Sequence, residues 1–210
     1  SSNMTKEEAI KCEAYRIQVD EKLLRTFIHV ESGGTGFNGD GTLIIQFEPH
    51  HFKNYAKNEY TKYIRLNNTA QKELTQVEKQ FVADFNIVLA NKISSQLEEY
   101  KAFNAASRIN KTAAMLSTSI GLGQVMGFNH KRLGYITVDE MWDDAKKGED
   151  RQVFQMVEFI NTDSRLKNAL KEKNWHLVAT YYNGAGYKEL SQKHGFTPYD
   201  IRMRDYYNKL

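Results

Sequence analysis

A glutamate stands at position 31, at the close of an apolar helical pattern and just before a run of glycines: Ile28-His29-Val30-Glu31-Ser32-Gly33-Gly34-Thr35-Gly36-Phe37. Leu24, Phe27 and Ile28 precede it at spacings that put all three on its side of a helix. The carboxyl is therefore aimed where a core belongs. Loss of hydration there raises its pKa and holds the proton near neutral pH. A protonated carboxyl in a cleft is what general-acid cleavage of a glycosidic bond requires. The same pattern also fits a boundary residue that turns to solvent as the helix frays, since carboxylates are seldom buried.

A second carboxylate, Glu48, lies in Phe47-Glu48-Pro49-His50-His51-Phe52. Inverting glycosidases place a base about 6.5–9.5 Å from the acid, whereas retaining enzymes place a nucleophile about 5–5.5 Å away. Glu48 is a candidate for direct participation, for positioning water, or for bracing Glu31 or His50; Asp40 is a weaker rival. The cluster of Glu48, His50 and His51 also has metal-ligand chemistry. In an extended strand, however, neighbouring side chains diverge, and neither a His-x-x-x-His pair nor a partnered cysteine supports a metal. No metal site is expected.

Two further stretches carry polar groups between glycines: Ser117-Thr118-Ser119-Ile120-Gly121-Leu122-Gly123-Gln124-Val125-Met126-Gly127-Phe128-Asn129 and Tyr181-Tyr182-Asn183-Gly184-Ala185-Gly186-Tyr187. The Gln124 amide both donates and accepts, which suits acetamido and hydroxyl groups of an amino sugar. Tyr182 and Asn183 at a glycine turn fit a cleft wall with a stacking ring. They equally fit a glycine C-cap over a core tyrosine.

These four stretches, in this order, resemble the motifs of the phage-type N-acetylmuramidase family, within the goose-type lysozyme and soluble lytic transglycosylase superfamily. The matching residues are Val30-Glu31-Ser32-Gly33-Gly34-x-Gly36-Phe37, Phe47-Glu48-x-His50-x-Phe52, Ser117-x-Ser119-x-Gly121-x-x-Gln124-x-Met126-Gly127-Phe128-Asn129, and Tyr182-Asn183-Gly184-x-Gly186-Tyr187. The resemblance covers about 5–54 and 97–208 and leaves 55–96 as an atypical helical insertion. It implies hydrolysis of the β-1,4 bond between N-acetylmuramic acid and N-acetylglucosamine, with Glu31 as acid and Glu48 assisting. It implies substrate contacts from Ser32, Gly33, His50, Ser119, Gln124, Met126, Tyr182, Asn183 and Tyr187. No cofactor is implied, and the partner is the peptidoglycan glycan strand, met by a monomer in the periplasm or at the cell wall. The rival readings are a lytic transglycosylase giving 1,6-anhydro products and a peptidoglycan-binding module without turnover. Two positions depart from the family. Ile120 stands where an aromatic is usual, and Ala185 replaces a proline.

The elements that must position these groups are mostly helical. Thr5-Lys6-Glu7-Glu8 has capping-box spacing and opens a helix to about Tyr15, and Asp20 caps Glu21 to Val30. Gly39-Asp40-Gly41 before the β-rich run Thr42 to Phe47 predicts a small hairpin beside the glycine loop. A helical pattern spans 71–108. Asn110 caps a short helix, Thr137-Val138-Asp139-Glu140 is a second capping box, and Asn174 caps Trp175 to Tyr182. Val153, Phe154, Met156, Val157 and Ile160 form a core stripe, and two last helices cover 188–194 and 199–209. One mainly α, lysozyme-like domain over 1–210 follows.

Composition agrees with a globular protein: 40% hydrophobic, 26% charged, net charge +3 over 210 residues. That charge is too small for a dedicated nucleic-acid binder. No apolar run is long enough for membrane insertion. The lone cysteine, Cys12, excludes an internal disulfide and is expected to be buried as a small hydrophobe.

Overall fold

The Asp20 carboxylate accepts the Lys22 N–H and starts the helix Glu21–Ser32, which ends on Gly33 in a left-handed conformation, φ 71°. Leu24, Phe27 and Ile28 are buried along it, as the spacing requires. Each contributes about 1.5–3 kcal/mol of apolar burial. The computed structural model describes residues 4–92 and 94–210. Twelve α-helices and three short strands lie among them. The chain divides into two compact units: Ser1–Thr42 with Gly121–Val125 and Asp144–Leu210, and Leu43–Ile120 with Met126–Asp143.

The first unit is helical. The helix Lys6–Ile17 opens with the expected capping box between Thr5 and Glu8. Its buried residues are Ala9, Ile10, Ala14 and Ile17, which leaves Cys12 on the opposite face, exposed. The expected burial of Cys12 is thus corrected by helical phase. The helix Glu149–Asn161 carries Val153, Met156, Val157 and Ile160 fully buried, whereas Phe154, expected in the same stripe, is half-buried beneath the guanidinium groups of Arg16 and Arg151. Asn174 caps the helix Trp175–Tyr182 through the Leu177 N–H. The helices Tyr187–His194 and Tyr199–Lys209 complete the unit.

The second unit holds the sheet. Strand β1 (Ile45–Phe47) pairs antiparallel with β2 (Thr118–Ile120), in the register Ile45 to Ile120 and Phe47 to Thr118, and the strand order is β1-β2-β3 with β3 at Val125–Met126. The expected turn after Gly39 does form, closed by Asn38 N–H to Thr42 O at 2.7 Å. Strand β1, however, takes as partner a strand some seventy residues onward, a pairing no local turn signal encodes. Pro49 at the first position of the helix Pro49–Tyr55 ends β1 abruptly.

Between residues 55 and 92 lie the helices Lys57–Asn67 and Gln76–Ala90. Tyr63, Leu66, Phe85 and Val88 from this segment pack with Ala102, Ala105 and Ala106 of the helix Gln96–Leu116. The continuous pattern read over 71–108 is interrupted at Asn91, where the backbone leaves the helical region. Asn110 acts as the predicted cap inside a kinked helix: its backbone is extended, and its side chain accepts the Ala113 N–H at 3.0 Å. Among the described residues, no helix is long and apolar enough to cross a membrane.

Candidate active site

In the first unit, Glu31 occupies the last turn of its helix with only partial solvent contact. Desolvation by the surrounding protein pushes its pKa up to about 7, against the opposing influence of the Tyr199 hydroxyl and the positive charge of Arg202. The Tyr199 hydroxyl is buried and, among the described residues, has no hydrogen-bond partner of normal geometry. It faces Glu31 without closing a bond of normal geometry. The Arg202 guanidinium lies over the Tyr199 ring at 5.7 Å from its centroid. Burial and the charge of Glu31 together hold the Tyr199 phenol far above its ordinary range. Glu31 is thus a carboxyl whose proton is retained near neutrality and whose charged form has a phenol and a cation to receive it.

The glycine segments of this unit are bound to one face of the helix Glu149–Asn161. The Glu149 carboxylate accepts the Gly36 N–H at 2.9 Å. Gln152, buried, accepts the Leu122 N–H at 2.9 Å and donates to the Ala145 carbonyl at 3.1 Å. Its amide lies so close to two glycines that a Cβ on Gly36 would stand 1.7 Å from Gln152 Oε1, and one on Gly121 would stand 2.8 Å away. Those positions are glycine because the amide occupies the side-chain volume. Residues 149, 152 and 156 fall at helical spacing on one face. Sequence reading missed Gln152 and Glu149, since polar residues beside an apolar stripe look like a solvated edge. Tyr199 and Arg202 gave no motif signal at all.

The motif residues of this unit fall into two sets. Gln124 takes a left-handed backbone, φ 51°, and donates from Nε2 to the Gly121 carbonyl at 2.9 Å. Tyr182 donates from its hydroxyl to the Gly123 carbonyl at 2.6 Å, and its ring is wedged between Phe27 at 4.6 Å and Phe159 at 5.2 Å. It braces the Gly121–Gly123 backbone from beneath. Ser32 donates back to the Ile28 carbonyl, Gly33 is exposed, and Asn183 is exposed at the C-cap of its helix. Tyr187 lies in the core at 4% exposure, its hydroxyl 2.6 Å from His176 Nδ1. Its ring faces the interior of the unit, and the substrate contact implied for Tyr187 would have to come from its edge.

In the second unit, Glu48 is the N-cap residue of the helix Pro49–Tyr55 and is partly exposed. Its pKa is pushed up to about 6 by desolvation and by the charge of Glu99. Glu99 is fully enclosed and accepts from the Phe47 N–H, the Asn91 amide and the Ser94 N–H. His50 is exposed, with Nδ1 3.8 Å from a Glu48 oxygen. His50 and His51 do not diverge as expected; their ring centroids lie 4.0 Å apart, because both sit in the first turn of a helix and not in a strand. Among the described residues, no three His, Cys, Asp or Glu side chains form a metal-holding group.

Ser119 is buried in β2 with its hydroxyl 3.4 Å from the Gln46 carbonyl, and Met126 is half-buried in β3. Ile120 is 2% exposed and pairs with Ile45, so an aromatic there would enter the core and would offer no stacking surface. A cavity of about 390 Å³, lined by Asn86, Ile87, Lys92 and Lys101 among others, contains none of the motif residues.

Comparison with known proteins is consistent with this arrangement. A family model described as N-acetylmuramidase matches residues 20–210. Among solved structures, the chain is similar to the crystal structure of a Burkholderia AP3 phage endolysin, with 29% sequence identity and a TM-score of 0.68, over 96% of this chain and 68% of that one. A search of curated proteins finds no significant match.

Proposed function

This chain belongs to the N-acetylmuramidase family, and from that premise we propose that Glu31 is the general acid of its reaction. The protein is a lysozyme-type glycoside hydrolase acting on peptidoglycan. In the proposed step, Glu31 gives its proton to the oxygen leaving the β-1,4 bond between N-acetylmuramic acid and N-acetylglucosamine, while positive charge develops at the sugar's anomeric carbon. The resulting carboxylate is then received by the Tyr199 hydroxyl and Arg202. Glu48 assists the attack of water. Gln124 and Asn183 engage the acetamido and hydroxyl groups of the sugars, and Tyr182 holds the Gly121–Gly123 backbone against which they lie.

The observation that carries this reading is the placement of Glu31 in the last turn of its helix, facing the buried Tyr199 hydroxyl with Arg202 over the Tyr199 ring. Desolvation there pushes its pKa up to about 7, a value suited to a general acid at neutral pH. Glu48 has a raised pKa as well, set by desolvation and the charge of Glu99, and faces the exposed His50 imidazole at 3.8 Å, with no buried phenol or guanidinium among the causes of its shift. In this reading the chain acts as a monomer at the bacterial cell wall and uses no cofactor.

Mass spectrometry of digested peptidoglycan tests the reaction. Products ending in reducing N-acetylmuramic acid support hydrolysis. Products ending in 1,6-anhydro sugars identify a lytic transglycosylase and remove Glu48's role in water attack. Binding without any product reduces the chain to a peptidoglycan-binding module.

A further inference from the structure

The second unit exposes a small aromatic surface beside Glu48. Phe128 is 37% exposed and Tyr55 is 44% exposed. Their rings are nearly parallel, at 27°, with centroids 6.2 Å apart, and His51 stands 5.1 Å from Phe128. His51 and Tyr55 are four residues apart on one helix, so they share a face. His50 joins this group to Glu48, touching the His51 ring on one side and lying 3.8 Å from the carboxylate on the other.

The surface is held rigidly. Phe52, fully buried against Phe47 and Phe85, fixes the helix that carries His51 and Tyr55. Phe128 projects from the 3-10 turn Gly127–Asn129, whose first residue is pressed against the backbone: a Cβ on Gly127 would stand 2.0 Å from the Met115 carbonyl oxygen. That close approach seats the turn from which Phe128 projects directly against the Met115 backbone.

The size of the surface identifies the occupant. Two partly exposed rings present roughly 100–200 Å², far less than the ~800 Å² per partner of a stable protein interface. A flat, rigid aromatic face rimmed by a carboxylate and an imidazole matches a pyranose, which has an apolar C–H face and a polar hydroxyl rim. We infer that Tyr55, Phe128 and His51 form a sugar-stacking subsite that takes one residue of a β-1,4-linked amino-sugar strand. The inference rests on the muramidase reading for the identity of that strand.

The test uses the full-length protein carrying Glu31→Gln, so that turnover does not intervene, and titrates it with the β-1,4-linked hexamer of N-acetylglucosamine by calorimetry. Phe128→Ala and Tyr55→Ala are each expected to raise Kd about 3- to 10-fold. Tyr55→Phe and Phe128→Tyr keep the ring faces and are expected to leave Kd unchanged. In the active protein, the two alanine variants are expected to raise KM on peptidoglycan with kcat retained.

Equal Kd and KM for the alanine variants and wild type would overturn the subsite while leaving the muramidase reading intact. Hexamer binding that weakens in the alanine variants, in a protein that releases no glycan products from peptidoglycan, would overturn the muramidase reading while leaving the subsite intact. Binding of a peptide stem in place of the hexamer would overturn the subsite.

Discussion

Glu31 and Glu48 both carry raised pKa values, yet their surroundings differ in kind. Around Glu31, desolvation is opposed by a phenol and a guanidinium that favour the charged form. Around Glu48, desolvation is reinforced by another carboxylate, Glu99, which makes the charged form costlier still. The first arrangement suits a group that must release its proton and be received as a carboxylate. The second sets an exposed imidazole, His50 at 3.8 Å, against the opposing charge of Glu99. Their difference shows that a raised pKa alone does not identify an acid; the partner awaiting the charge does.

The largest expected effect separates the two directly. Glu31→Gln should lower kcat on peptidoglycan by about 10²–10⁴-fold, whereas Glu48→Gln should lower it less. Equal losses in steady-state assays would abolish the distinction. Next comes the bracket beneath the glycine segments. Gln152→Leu leaves the Leu122 N–H and the Ala145 carbonyl without their partner, at a cost of about 1–3 kcal/mol each. A lowered melting temperature is expected, and an unchanged one would show that the bracket carries no weight.

The pH dependence follows from the same groups. Glu31 binds its proton more tightly in the folded chain, so its contribution to stability is full below the unfolded-state pKa and is lost as pH rises through about 7. Glu31→Gln should therefore stabilise the fold above pH 8 relative to wild type by on the order of 1–2 kcal/mol, and change little at pH 4. Denaturant unfolding at the two pH values checks this. The activity of wild type should fall as pH rises through about 7, as the acid loses its proton. Arg202→Met removes the charge that lowers the Glu31 pKa and should move this alkaline limb upward. Glu99→Gln removes the charge that raises the Glu48 pKa and should move the titration of Glu48 downward. These last two shifts are small and opposite in direction, and finding them with the same sign would contradict the comparison.

What could be read in the sequence was local. The Asp20 cap, the Thr5–Glu8 capping box, the cap at Asn110 and the apolar face leading to Glu31 each depend on residues within a turn or two of one another. What could not be read was either distant or disguised. Strand β1 pairs across some seventy residues, and Pro49 converts the expected strand continuation into a helix, which turned the His50 and His51 rings toward each other. Gln152 looks like an ordinary polar edge until Gly36 and Gly121 are brought against it. Tyr199 and Arg202 lie far along the chain from Glu31, in a helix with no motif. Tyr187 looks like part of a surface motif, although its ring is core. The carboxyl was visible in the sequence; the groups that set its pKa were not.

A titration of Glu31 by carbon-13 NMR, on protein labelled at the glutamate side-chain carboxyl and with Glu31→Gln to assign the resonance, tests the central claim most directly. The account predicts a midpoint near pH 7. A midpoint at the ordinary glutamate value, near 4.5, would leave Glu31 without a proton to give at neutral pH and would contradict its role as the acid.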